Sequence, residues 1–185
     1  MRVIGGRLRG RTLKGPSSMA VRPTSDRLRE SIFNILTHTH GDPVQDARVI
    51  DLFAGAGGLG IEALSRGARF ALFVDNGSEA RALLRANVEA LGLGGATRIF
   101  RRDAAKLGDM TPQEAFTLAF LDPPYGKGLA PLALASLRDG GWLANGALCV
   151  VEEAAASGFE PPHGFELMKA RDYGDTGVWF AARRI

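Results

Sequence analysis

The tetrapeptide Asp122-Pro123-Pro124-Tyr125 closes a run of apolar residues from Phe116 to Leu121 and carries the most specific chemistry in the chain. An exocyclic amine on a nucleobase is a poor nucleophile, because its lone pair is delocalised into the ring. The Asp122 carboxylate and the backbone carbonyl of Pro123 are two acceptors that can hold the amine hydrogens and aim that lone pair at an activated methyl group, which is catalysis by positioning. Pro123 and Pro124 fix the backbone direction and remove two N–H donors. Tyr125 offers a ring to a base turned out of its helix. A rigid turn with an incidental tyrosine is the plainer alternative, and it weakens once the glycine loop upstream is considered. Aspartate at the first position suits guanine, whose N1–H and N2–H are neighbouring donors; an asparagine amide matches the donor–acceptor edge of adenine better. No histidine base is expected, since the amine proton becomes acidic only after methyl transfer and Asp122 or solvent can take it.

That loop is Asp51-Leu52-Phe53-Ala54-Gly55-Ala56-Gly57-Gly58-Leu59-Gly60, with Gly55, Gly57 and Gly60 on the G-x-G-x-x-G template between a strand and a helix. Glycines there let the backbone turn tightly and approach a ligand at the carboxyl ends of the strands. Asp75 ends the next strand, about twenty residues beyond Gly55, where a carboxylate can accept both ribose hydroxyls. Both features fit either NAD or S-adenosylmethionine, and two details favour the second. Asp51, just before the glycines, suits the ammonium of a methionine moiety and would repel a pyrophosphate. Asp103, in Arg101-Arg102-Asp103-Ala104 after the third strand, can accept from an adenine amino group, although capping its own loop would explain it equally well. The expected cofactor contacts are Asp51, Phe53, Ala54, Gly55, Gly57, Asp75, Asn76, Asp103 and Ala104.

The elements that must position these groups alternate from Arg48 onward. Strands are expected at residues 49–53, 70–74, 97–101, 116–121 and around 148–151, with helices at 61–66, 78–91 and 129–137. Apolar runs without alternation mean strands covered on both faces, and the intervening helices mean parallel pairing, hence a doubly wound α/β sheet. Residues 166–173 and 178–183, separated by Gly174-Asp175-Thr176-Gly177, suit an antiparallel hairpin at the sheet's end. Ahead of the sheet, Arg2-Val3-Ile4 and Arg11-Thr12-Leu13 flank Gly5-Gly6-Arg7-Leu8-Arg9-Gly10 as a hairpin with its arginines outward. Pro16-Ser17-Ser18 reads as a loop, and Pro23-Thr24-Ser25-Asp26 begins a helix with Leu28, Ile32, Ile35 and Leu36 at helical spacing.

A chain of 185 residues, 45% apolar, suits one domain with a sizeable core. No apolar run reaches the roughly 18 residues that span a bilayer, and Met1-Arg2-Val3-Ile4-Gly5-Gly6 has no leader pattern, so a cytoplasmic protein without a membrane partner is expected. Cys149, the only cysteine, lies between Leu148 and Val150 and reads as a small buried hydrophobe. His38, His40 and His163 gather no further ligand type, so no metal is expected. The net charge is +3, yet residues 1–30 hold eight basic side chains (Arg2, Arg7, Arg9, Arg11, Lys14, Arg22, Arg27 and Arg29) against Asp26 and Glu30. A one-ended arginine cluster is the footprint of a phosphate backbone, and Arg2, Arg7, Arg9, Arg11, Arg22 and Arg27 are the expected RNA contacts.

Taken together these residues resemble the bacterial small-subunit rRNA guanine-N2 methyltransferases, the RsmD-like family. The likeness runs through Arg2-Val3-Ile4-Gly5-Gly6 with Arg9-Gly10-Arg11, then Arg22-Pro23-Thr24-Ser25-Asp26-Arg27-Leu28-Arg29-Glu30 with Phe33-Asn34-Ile35-Leu36. It continues in Asp51 to Gly55, Glu62 to Ala68, Asp122 to Tyr125 and Tyr173-Gly174-Asp175-Thr176. The N-terminal block sets this family apart from other amine methyltransferases. The resemblance implies a class I S-adenosylmethionine-dependent methyltransferase fold: Rossmann-like, with a mainly parallel seven-stranded sheet, a C-terminal antiparallel hairpin and an N-terminal β-hairpin and helix. It implies monomethylation of one guanine N2 in 16S rRNA, on an assembled or assembling small subunit. The family's cofactor loop matches Asp51 to Gly57, its ribose carboxylate Asp75, its adenine contact Asp103 and its catalytic motif Asp122 to Tyr125. Thr117 departs from a usual aspartate, which bears on the support of the fourth strand, and Asp75 from a common glutamate.

The expected organisation is a basic RNA-gripping extension over residues 1–40 that also helps cover the cofactor, followed by a methyltransferase domain over 41–185, in a monomer. Rivals within the same chemistry are a DNA adenine-N6 or a protein glutamine-N5 methyltransferase, the latter disfavoured by the basic N-terminus. An NAD-dependent oxidoreductase shares the glycine loop, and a non-catalytic RNA-binding module shares the basic end.

Overall fold

Each stretch expected as a strand from Arg48 onward becomes one. The computed structural model describes residues 1–16, 24–39 and 41–185; Ser17, Ser18, Arg22, Pro23 and His40, which carry expectations above, lie outside the described residues. The strands are β1 (Arg48–Leu52), β2 (Phe70–Val74), β3 (Thr97–Phe100), β4 (Phe116–Leu121), β5 (Leu143–Ala154), β6 (Phe165–Tyr173) and β7 (Thr176–Arg183). They form one sheet in the order β3-β2-β1-β4-β5-β7-β6. The first five pair in parallel, and β7 runs antiparallel between β5 and β6. The helices are α1 (Asp26–Thr39), α2 (Gly58–Ser65), α3 (Ser78–Ala90) and α4 (Leu129–Asp139).

Alternate residues of the central strands enter two separate cores. Val49, Leu118, Phe120 and Val150 face the side of α1, α2 and α3, while Ile50, Leu52, Leu121 and Val151 face α4. Strands wrapped this way need apolar residues at every position, which is why they read as unbroken runs. Cys149 faces α4, fully buried, and burial pushes its thiol up to about 12. The Thr117 hydroxyl accepts from the Arg48 backbone N–H at 3.3 Å, so the unusual residue in β4 tethers it to β1.

The N-terminal hairpin is slighter than its sequence suggests, with a single antiparallel bridge between Arg2 and Thr12. Other acceptors take the backbone N–H groups that a longer ladder would use. Ile4 and Gly5 donate to the buried Glu62 carboxylate of α2 at 3.0 and 3.2 Å, and Leu8 donates to Ser65 Oγ at 2.9 Å. Gly6, at φ 76°, lies so near α2 that a Cβ there would stand 1.9 Å from the Ser65 carbonyl oxygen. Val3, Leu8 and Leu13 sink into the core that also holds Phe33 and Leu64, while Arg2, Arg7, Arg9 and Arg11 stay exposed as expected. Arg29 does not: fully buried, it braces the Arg2 carbonyl and Asp26 at 2.6 and 2.5 Å.

Candidate active site

The register sets Leu52 level with Val74 on one side and Leu121 on the other, so β1, β2 and β4 end together. Neighbours of β1 lead to opposite ends of the sheet, and ligands of such folds bind at this reversal. Asp51 is only 1% exposed and accepts the Gly60 N–H at 3.0 Å. Burial pushes its carboxyl up to about 8; the Gly60 N–H pulls against that, and the charge of Asp75 adds to it. A carboxylate so dry gains from a cation beside it. The cavity it borders, about 80 Å³, is walled also by Met1, Thr24, Ala54, Gly55 and Asp122, which fits the ammonium end of S-adenosylmethionine.

A second recess holds Phe53, Asp75, Asn76, Asp103 and Ala104 together. Phe53 takes a left-handed backbone, φ 56°, as the chain leaves β1. Asp75 accepts from the N–H of Gly55 at 3.0 Å and of Gly77 at 2.8 Å, one on each oxygen, and each oxygen keeps a second lone pair for a ribose hydroxyl. Asp103 does cap its own loop, Oδ1 taking the Ala105 N–H at 2.9 Å. Gly57 lies apart from these linings. It caps α2 at φ 89°, and a Cβ there would meet Leu84 Cδ1 at 2.4 Å, so its smallness serves packing.

The largest of the described cavities, about 640 Å³, joins the two halves of the site. Its wall carries Phe53, Gly55, Asp75 and Asn76 from the loop side, and Asp122, Pro123, Pro124 and Tyr125 from the end of β4. Asp122 is half-buried; loss of solvent and the nearby charge of Glu152 raise its carboxyl well above the usual carboxylate range, while a hydrogen bond from Thr24 lowers it. Tyr125 is tethered through its hydroxyl to Glu152 at 2.8 Å and Thr176 at 3.0 Å, which fixes the plane of its ring.

A family model described as "Conserved hypothetical protein 95" matches residues 1–182. The chain belongs to that family. Ribosomal RNA small subunit methyltransferase D of Escherichia coli K12 is 38% identical over 159 residues, covering 85% of this chain and 77% of the relative. The protein of the same name from Haemophilus influenzae is 33% identical, covering 94% and 89%. The solved structure of yhhF from Escherichia coli superposes with a TM-score of 0.84 at 33% identity, over 100% of this chain and 98% of that one. The class I methyltransferase fold and the RsmD-like resemblance read from the motifs both hold.

In this family member the N-terminal segment reaches the site. Met1 and Pro16 line the cavity beside Asp51, and Thr24 Oγ1 stands 2.9 Å from both Asp122 Oδ2 and Glu152 Oε2. Arg27 borders a further cavity with Glu152. Asn87 and Glu152 carry no motif, Thr24 and Thr176 lie in blocks that carry the family likeness, and none of the four was among the expected site residues. Asn87, 2% exposed on α3, donates to the carbonyls of Lys14 and Ala56 at 3.0 and 2.9 Å and accepts the Lys14 N–H at 2.8 Å. It thereby pins the N-terminal segment to the glycine loop. His38 and His163 are exposed, and among the described residues no group of three His, Cys, Asp or Glu could hold a metal.

Proposed function

We infer that this protein transfers a methyl group from S-adenosylmethionine to ribosomal RNA of the small subunit, and we propose N2 of one guanine as the acceptor. The carrying observation is the cavity that holds the cofactor-loop residues and Asp122 to Tyr125 in one wall. Its volume lies in the range of about 300–1,000 Å³ common for small-molecule sites. The names borne by the curated relatives support the same reading.

S-adenosylmethionine supplies a methyl group on a sulfonium, whose sulfur departs as a neutral thioether. Asp51 receives the ammonium, Asp75 the ribose, and Asp103 with Ala104 the adenine. Asp122 and the Pro123 carbonyl hold the amine hydrogens while the nitrogen forms its bond to the methyl carbon. The surplus proton then passes from nitrogen to Asp122 or to solvent. The exposed Arg2, Arg7, Arg9, Arg11 and Arg27, together with Arg22, hold 16S rRNA in an assembled or assembling subunit, so residues 1–40 act as the RNA-gripping extension of a domain over 41–185. The methyl group arrives already activated, so the reaction needs no metal. The protein works as a monomer in the cytoplasm, where subunits are built.

Labelled methyl transfer to small subunits from a strain lacking the enzyme, to naked rRNA and to DNA tests this. N2-methylguanosine from subunits is expected. Label on adenine N6, or tight binding of NADH in place of S-adenosylhomocysteine, would overturn it.

A further inference from the structure

Glu152 follows Val151, which is paired with Leu121, so it stands beside Asp122 at the ends of adjoining strands. It is 6% exposed, yet it borders two cavities: the large one with Asp122 and Tyr125, and another of about 340 Å³ with Arg27, Ser31 and Thr176. Its oxygens are differently engaged. Oε1 accepts the Tyr125 hydroxyl at 2.8 Å, while Oε2 turns toward Asp122 and meets Thr24 Oγ1 at 2.9 Å. Because Asp122 Oδ2 is also 2.9 Å from that hydroxyl, Thr24 marks a point within reach of both carboxylates. A hydroxyl has one proton to give and cannot satisfy two acceptors. A ligand edge with two adjacent N–H donors can.

We propose that Glu152 determines base specificity, its carboxylate accepting the ring N1–H of guanine while Asp122 holds the N2 amine. The proposal rests on the reading of the site as a guanine-N2 methyltransferase and divides between two side chains the pair of donors that guanine presents. Adenine and cytosine place a ring acceptor beside their amine, and that lone pair would face the Glu152 carboxylate. A site built to bond a particular N–H rejects analogues without it strongly, since its own buried group is left unpaired. Tyr125 and Thr176 act through Glu152, fixing the direction of its head group.

The test uses the full chain and small subunits rebuilt with one altered nucleotide at the target. 2-Aminopurine keeps the amine but has an acceptor at N1; inosine keeps N1–H but lacks the amine. Wild-type enzyme is expected to favour guanine over 2-aminopurine by roughly a hundredfold or more in kcat/KM, as one unpaired buried group allows. Glu152→Gln, whose amide can donate to N1, should reverse or abolish that preference while its melting temperature stays near wild type. A ratio unchanged by Glu152→Gln overturns the proposal and leaves Glu152 as a mere support for Tyr125. A second measurement needs no variant: inosine subunits should compete with guanine subunits at least tenfold better than adenosine subunits do, and equal competition also overturns the proposal. Failure of wild type to label unaltered guanine is a separate result. It removes the underlying reading and the proposal with it.

Discussion

Asp51 and Gly60 face each other across the turn between β1 and α2, the buried carboxylate accepting the glycine N–H at 3.0 Å. The contact opposes the burial that raises the Asp51 carboxyl, but burial prevails. The folded Asp51 keeps its proton to about pH 8, whereas an unfolded aspartate releases it near about 3.9. The folded state therefore binds more protons between those values, and stability falls as pH rises through that window. Asp51→Asn keeps the acceptor for Gly60 and abolishes the titration. Its melting temperature should exceed that of wild type by much more at pH 8 than at pH 5, since the intervening units lie inside the window over which wild type loses about 1.4 kcal/mol per pH unit. The same variant should bind S-adenosylhomocysteine at least about tenfold more weakly at pH 8, roughly the 1.4 kcal/mol of a lost partly buried ion contact. Calorimetry across pH checks both.

Two glycines of the loop should respond to alanine for different reasons. A Cβ at Gly60 would sit 2.4 Å from Phe73 Cε1, a fully buried ring that has nowhere to go. Gly60→Ala should cost about 1–3 kcal/mol, as overpacking does, and displace Asp51 with it. Gly55 has open space around its Cβ direction but a φ of +58°. Gly55→Ala should cost only about 1–2 kcal/mol of backbone strain. Urea denaturation of the two variants separates clash from strain.

In the proposed mechanism an ionised Asp122 holds the amine, so activity should rise with pH through its elevated carboxyl pKa. Thr24 donates to Asp122 and opposes that elevation. Thr24→Val removes the donor, and the acid limb of kcat/KM against pH should shift upward. An unmoved limb would show that Thr24 has no hold on the titrating group.

Asn87 makes three hydrogen bonds that join Lys14 to Ala56. Asn87→Ala leaves the buried Ala56 carbonyl unpaired, at about 1–3 kcal/mol before relaxation, and frees the Lys14 main chain to solvent. Roughly 2–3 kcal/mol of lost stability is expected, with faster proteolysis of the first sixteen residues under native conditions. Chemical denaturation and limited proteolysis provide the readouts.

The sheet was legible because its strands are buried on both faces: Phe70–Val74 and Phe116–Leu121 fall where the sequence puts them. The edges were less so. β5 begins at Leu143, well before the expected residues around 148–151, because exposed Asn145 and Gly146 interrupt the apolar run without ending the strand. Helix α2 begins at Gly58 and includes Gly60, residues that propensity alone would leave in the loop; tertiary contact with Asp51 and Phe73 holds them there. The hairpin turn shrinks to Gly174-Asp175, since Thr176 and Gly177 pair with Tyr173 and Asp172. The loop and tetrapeptide that line the large cavity were legible because each announces itself within a few positions. Glu152 and Thr24 lie 128 positions apart and meet only when the sheet and the N-terminal segment close on each other. No local pattern could have paired them.

Arg7 and Arg9 stand exposed on the N-terminal turn, outside the cavity walls, so the RNA contact proposed for them should be purely electrostatic. Each phosphate neutralised releases counterions, and the logarithm of the binding constant falls with the logarithm of salt in proportion to their number. Arg7→Ala and Arg9→Ala should each flatten that slope by roughly 0.7–0.9. At saturating subunits kcat should stay within about twofold, since uniform binding is lost without loss of transition-state contacts. Arg29→Ala should behave differently: its guanidinium braces Arg2 and Asp26 inside the fold, so it should lower stability and leave the salt slope nearly unchanged. Filter binding over a salt series, paired with thermal melts of the same variants, distinguishes an arginine that grips RNA from one that holds the protein together.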